Sequence, residues 1–213
     1  PMSTTVFQPA LSVEIAKALV DIEAIKLRPQ APFTWASGWK SPIYCDNRVS
    51  LSFPDVRQLI KQSLVKLIWS HFPNAEAIAG VATAGIPQGA LVADAMELPF
   101  LYVRSSSKGH GLSNQIEGKL VAGQKVVVIE DLISTGGSSL AAVDALRAAN
   151  IEVLGMAAIF TYAFQVAEDN FKEKKVPLVV LSDYPTLTSI GNFDASTHQL
   201  LAAWRKDPSV WGK

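Results

Sequence analysis

Residues 126–138 read VVVIEDLISTGGS, and the fold turns on how that string is parsed. Val126, Val127, Val128 and Ile129 form an unbroken run of β-branched residues, the pattern of a strand covered on both faces rather than one. Glu130 and Asp131 follow, then Leu132 and Ile133, then the small or hydroxylic Ser134, Thr135, Gly136, Gly137 and Ser138. Leu140, Val143 and Leu146 then recur at helical spacing. Strand, loop and helix start come in that order. Gly136 and Gly137 let backbone N–H groups turn inward, and the hydroxyls of Ser134, Thr135 and Ser138 add donors at the positive end of the helix dipole. The result is an anion cradle sized for one phosphate. It lacks the GxxxxGK[ST] pattern of a nucleoside triphosphate loop. Two carboxylates in front of it would repel a triphosphate, whereas sugar hydroxyls are natural donors to them, so the combination suits a sugar carrying a 5-phosphate. The competing reading is a plain strand-to-helix turn with solvated acids.

Working outward, Ala77–Ala82, Phe100–Val103, Lys125–Ile129, Val153–Phe160 and Leu178–Leu181 read as further short apolar strands, with helices near 85–97, 137–149 and 163–174. Alternation of this kind predicts an α/β fold, a mostly parallel central sheet flanked by helices and joined by right-handed crossovers. Ligands in such sheets sit beyond the carboxyl ends of the strands, which directs attention to the loops after Ala82, Val103 and Glu130. Upstream, Ser12 is placed to cap a helix over 12–25. Residues 33–48 mix aromatic and β-branched residues with Gly38 and Pro42 and predict short strands and turns. Pro54 and Asp55 open a helix that Pro73 closes. The expected organisation is a single domain over 1–213: an N-terminal appendage at about 12–50, a core at about 75–182 and a C-terminal packing segment, with His198 and Trp204, at about 183–213.

Composition narrows the partners. Lys plus Arg and Asp plus Glu number 19 each, so the chain carries no net basic field of the kind that neutralises a nucleic-acid backbone. No nucleic acid partner is expected, and a small ligand is. One cysteine, Cys45, permits no internal disulfide and suits a reducing compartment, the cytoplasm. No apolar run reaches the roughly 18 residues a membrane span requires, so no membrane partner is expected. Pro1 stands before Met2, the expected natural start.

Two other loops carry chemistry. After Val103 comes RSSSKGHGLSNQIEG (104–118), too polar to pack and bearing Arg104, Lys108 and His110. Cations here either close over an anionic leaving group and exclude water, or merely solubilise a surface loop. Thr83, Ala84 and Gly85, after a buried strand, either offer N–H groups to an anion at a helix start or form a plain turn. Lys40 either faces a ligand carboxylate or is solvated.

The 126–138 string closely resembles the motif for phosphoribosyl pyrophosphate (PRPP) in type I phosphoribosyltransferases. The Lys-x-His-Gly of the 104–118 loop, the string FTWASGWKSPIYCDNR at 33–48 and GVATAGIPQGALVAD at 80–94 resemble three further blocks of the orotate phosphoribosyltransferases, so the likeness extends over nearly the full chain. It implies that the chain transfers the 5-phosphoribosyl group of PRPP to orotate, giving orotidine 5'-monophosphate and pyrophosphate in pyrimidine biosynthesis. Glu130 and Asp131 would hold the ribose hydroxyls and residues 132–138 would wrap the 5-phosphate. Arg104 would bind pyrophosphate, and so would Thr83–Gly85. Lys108 and His110 would be catalytic, reaching across a homodimer interface on the loop 104–117 to serve the neighbouring subunit. Residues 33–48 would form a hood over orotate, with Lys40, Tyr44 and Ser134 at the base, and Mg2+ would be held mainly by PRPP rather than by protein ligands. Four positions depart from patterns common in the family: Ala36, Ser105, Gly109 and Tyr162 stand where many members carry lysine, a second basic residue, aspartate and a base-contacting arginine.

Overall fold

The structure is a computed structural model that describes residues 4–106 and 115–212; Lys108 and His110 lie outside the described residues. Helices α1 (Pro9–Asp21), α2 (Pro54–His71), α3 (Gly85–Met96), α4 (Gly137–Ala148), α5 (Gln165–Glu173), α6 (Tyr184–Ile190) and α7 (Ala195–Lys206) surround the strands. The strands are β1 (Thr5–Val6), β2 (Ile25–Leu27), β3 (Phe33–Thr34), β4 (Lys40–Ser41), β5 (Ile43–Cys45), β6 (Ala77–Val81), β7 (Phe100–Val103), β8 (Ile116–Glu117), β9 (Lys125–Ile133), β10 (Glu152–Thr161) and β11 (Leu178–Asp183). A seven-stranded sheet runs in the order β1-β11-β10-β9-β6-β7-β8. All its neighbours are parallel except β7 and β8. The expected α/β architecture is therefore what forms.

Why the apolar runs become central strands is visible in where alternate residues go. Val127 and Ile129 of β9 join one core cluster together with residues of α1, α2 and α3, while Val126 and Val128 join a second built with α4 and α5. All four are fully buried, each contributing roughly 1.5–3 kcal/mol of apolar transfer. A strand exposed on one face would have needed polar alternates.

Three expectations are corrected. Helix α1 starts at Pro9, three residues before the expected cap, because proline fits the first turn without needing its missing N–H. Ser12 is a buried helix residue bonded to Ser182 Oγ and Thr186 Oγ1. The helix also ends at Asp21, so Ile25–Leu27 is a strand, paired antiparallel with β5. Strand β9 does not stop at Ile129 but runs to Ile133, because β10 continues beside it with Thr161 opposite Ile133. Glu130 and Asp131 are therefore strand residues. In the C-terminal segment Trp204 is fully buried, as packing requires, but His198 is exposed on α7 with only its ring edge against Phe193.

Residues 25–45 form two short antiparallel pairings, β3 with β4 and β2 with β5. They are tied to the core by aromatic contacts of Trp35 with Tyr162 and Trp204, and by the Trp204 indole N–H donating to Lys40 O at 3.1 Å.

Candidate active site

Strand order places the ends of β6 and β9 side by side, so the loops they feed are neighbours. Each runs straight into a helix whose first turn has no side-chain cap: α4 after Gly136 and α3 after Ala84. Leading N–H groups of an uncapped helix are orphan donors, and the dipole makes that end positive. Gly136 has φ +84°, and a Cβ there would meet Phe171 Cε2 at 2.7 Å, so both backbone and packing demand glycine. At Gly85 a Cβ would lie 2.6 Å from the Ile129 carbonyl oxygen, a close approach that seats the loop of Thr83, Ala84 and Gly85 directly against β9. The Ala82–Thr83 peptide is cis.

At the carboxyl end of β9 the two acids differ. Glu130 is buried, accepts from Ser139 Oγ at 2.8 Å and from the Asp131 N–H at 3.0 Å. Burial, followed by the charge of Asp131, pushes its carboxyl up to about 8, opposed by the bonds from Ser139 and from the Asp131 N–H. Asp131 is half-buried and is also raised, by burial first. Neither has a cation within ion-pair distance among the described residues. Beyond the Ser139 hydroxyl, such a pair is short of positive or hydroxyl partners among the described residues. Ser139 lies outside the 126–138 string; a hydroxyl one turn into α4 is all that hinted at it.

Beside the cradle lies a cavity of about 290 Å³ lined by Thr34, Trp35, Ala36, Tyr44, Cys45, Leu132, Ser134 and Tyr162. The structure thus brings together Tyr44 and Ser134 from the expected base contacts, and Tyr162 and Ala36 from the positions that depart from the family pattern. Tyr162 is buried, with its ring against Trp35, Phe164 and Trp204. Burial raises its phenol well above the ordinary range, so it stays a neutral donor. Lys40 does not line the cavity: its exposed ammonium donates to Thr34 Oγ1 at 2.8 Å.

Arg104 sits where β7 ends, its N–H donating to Gln115 O at 2.7 Å. The guanidinium is 3.8 Å from Glu117, and its buried Nη1 has no hydrogen-bond partner among the described residues. An orphaned guanidinium nitrogen asks for an anion.

Comparison with known proteins agrees with this geometry. Residues 50–186 match the family of the phosphoribosyl transferase domain. The orotate phosphoribosyltransferase of Cytophaga hutchinsonii is 58% identical over 204 residues, covering 94% of this chain and 98% of that one. That of Streptococcus agalactiae serotype III is 55% identical over 94% of this chain and 98% of its own length. Among solved structures, orotate phosphoribosyltransferase from Aeropyrum pernix superposes with a TM-score of 0.74 at 28% identity, covering 82% of this chain and 96% of that chain.

Proposed function

The chain belongs to the phosphoribosyl transferase family and, within it, to the orotate phosphoribosyltransferases, and we propose on that footing that its site transfers the 5-phosphoribosyl group of PRPP to orotate. The products are orotidine 5'-monophosphate and pyrophosphate, in the route to UMP. One observation carries the reading: Leu132 and Ser134 belong to the cradle segment and also line the aromatic cavity. A sugar held by its 5-phosphate therefore presents C1 toward a flat ring in the cavity.

In this mechanism orotate N1 attacks C1 as the C1–pyrophosphate bond breaks. Bringing the two together in one orientation supplies much of the acceleration, and groups that meet the developing charges supply the rest. Glu130 and Asp131 receive the ribose 2- and 3-hydroxyls. Residues 132–138 enclose the 5-phosphate, with N–H groups at the start of α4 and the hydroxyls of Ser134, Thr135 and Ser138 as donors. Thr83, Ala84 and Gly85 offer backbone donors to pyrophosphate, and Nη1 of Arg104, 3.8 Å from Glu117 and with no hydrogen-bond partner among the described residues, is a second contact to it. Trp35, Tyr44 and Tyr162 sandwich the base, Ser134 bonds it, and Lys40 turns to its carboxylate only by leaving Thr34. Lys108 and His110 stabilise the leaving pyrophosphate or protonate it, reaching the neighbouring subunit of a homodimer on the loop 104–117.

The donor set fits Mg2+ held mainly by PRPP: two carboxyls raised chiefly by burial regain their ordinary ionisation once a cation or hydroxyls face them. When bound, the ion neutralises pyrophosphate charge. No helix among the described residues is long and apolar enough to cross a membrane, and the cytoplasm is the proposed location.

The deciding assay follows loss of orotate absorbance with PRPP and Mg2+, omitting each in turn, with adenine, hypoxanthine and xanthine as alternative bases. Turnover of a purine but not of orotate would overturn the assignment. Mixing Lys108→Ala dimers with Asp131→Asn dimers should restore activity, because hybrid dimers regain one intact site; no recovery would refute the shared loop.

A further inference from the structure

An anion cradle needs more than inward N–H groups; its carbonyl oxygens must be turned away and satisfied elsewhere. Two carbonyls of the 131–135 segment are taken up by side-chain amides from distant parts of the chain. Asn47, in the turn after β5 and 1% exposed, donates Nδ2 to Asp131 O at 2.8 Å. Register explains the need. β6 pairs with β9 only as far as Gly80 opposite Ile129, so beyond that point this edge of β9 has no strand beside it. The Asn47 amide supplies the donor a strand would have provided. Asn47 is itself held, its Oδ1 accepting from the Cys45 thiol at 3.2 Å and its carbonyl from Ser50 Oγ at 2.6 Å. At the other end of the segment Asn170 of α5 donates Nδ2 to Thr135 O at 3.0 Å, next to Phe171, which packs on Gly136.

We propose that Asn47 and Asn170 are positioning residues for PRPP: their amides draw the Asp131 and Thr135 carbonyls out of the cradle and so preset its N–H groups for the 5-phosphate. This rests on the assignment of residues 132–138 to that phosphate. Both residues act through the backbone and touch no substrate. Asn47 also belongs to the segment carrying Tyr44 and Cys45 of the base cavity, which joins the base wall to the sugar acids through one amide.

The test is calorimetric titration with ribose 5-phosphate and, separately, with pyrophosphate, together with KM for PRPP and for orotate. Thr135→Ala, which removes a cradle hydroxyl, should weaken ribose 5-phosphate; if it does not, the cradle assignment itself falls and the inference with it. Asn170→Ala, and the isosteric Asn170→Asp that cannot donate, should each weaken ribose 5-phosphate and raise the PRPP KM about tenfold, the worth of one positioned hydrogen bond. Pyrophosphate affinity and orotate KM should stay within about twofold, since a preset phosphate loop concerns neither. Asn47→Ser and Asn47→Asp should show the same selective loss, with the half-buried Asn170 variants deciding the case should the buried site fail to fold. Ribose 5-phosphate affinity within about twofold of wild type in both Asn170 variants, while Thr135→Ala loses it, would overturn the proposal alone. So would an equal loss for ribose 5-phosphate and pyrophosphate, which marks a merely structural role.

Discussion

If Glu130 accepts ribose hydroxyls as a carboxylate, PRPP must bind against the proton that the free protein holds. With its carboxyl raised to about 8, burial being the main cause, most free molecules hold the Glu130 proton at pH 7, so binding costs on the order of 1 kcal/mol there and more at pH 6. The sign follows from linkage. A carboxyl raised above its ordinary 4.5 stabilises the free fold most below that value and loses the contribution as pH rises through about 8. A ligand requiring the ionised form therefore gains affinity over the same window. PRPP affinity should climb up to about tenfold per pH unit from 6 to 8 and level off above. Glu130→Gln keeps one oxygen to accept from the Asp131 N–H, now at 3.0 Å, and turns an amide N–H toward the Ser139 hydroxyl, now at 2.8 Å, which can accept it, but cannot titrate. The variant should bind about tenfold more weakly than wild type at pH 8.5, the difference between charged and neutral acceptors, match it near about pH 7 and bind the more tightly of the two at pH 6. Calorimetry reads this directly. The 5-phosphate of PRPP itself titrates near about 6, but it does so against both proteins, so their ratio isolates Glu130. Repeating the titration in buffers of different ionisation enthalpy should count close to one proton released at pH 7 in wild type and fewer in the variant. A ratio that stays constant from pH 6 to 8.5 would show that Glu130 does not face the sugar.

Other outcomes follow from the same geometry. Gly136→Ala combines a left-handed φ with a Cβ 2.7 Å from Phe171, so it should cost about 2–4 kcal/mol and lower Tm by roughly 5–15 °C in a scanning calorimeter. Trp204→Ala removes a fully buried indole that also holds Lys40 O, and should cost about 3–5 kcal/mol while raising the orotate KM; an unchanged KM would separate the hood from that anchor. Lys108→Ala should lower kcat roughly 10²-fold or more, by analogy with loss of one transition-state donor, and initial rates at saturating substrates check it. Asp131→Asn should weaken PRPP binding, and unaltered affinity by calorimetry would count against the ribose assignment.

Local pattern in this chain was enough for whatever depends on near neighbours. Val126–Ile129, followed by two acids and a small-residue turn, announced strand, turn and helix because burial on two faces, left-handed backbone at Gly136 and an open helix start are properties of a dozen consecutive residues. The same holds for most helix and strand positions, and for the blocks that mark the family. What depends on partners far along the chain was decided only on folding. Whether β9 stops at Ile129 or runs to Ile133 is set by β10 lying alongside. That the Ser12 hydroxyl bonds Ser182 and Thr186 rather than a helix start depends on β11 and α6 packing opposite. The elevated carboxyl of Glu130 comes from burial and from Asp131, moderated by Ser139. The two amides that bond the Asp131 and Thr135 carbonyls come from 84 residues before Asp131 and 35 after Thr135. Hydrogen bonds and desolvation act over a few ångströms of space whatever the separation in sequence, so a linear reading can name the turn after β9 but not the distant groups that bond its carbonyls.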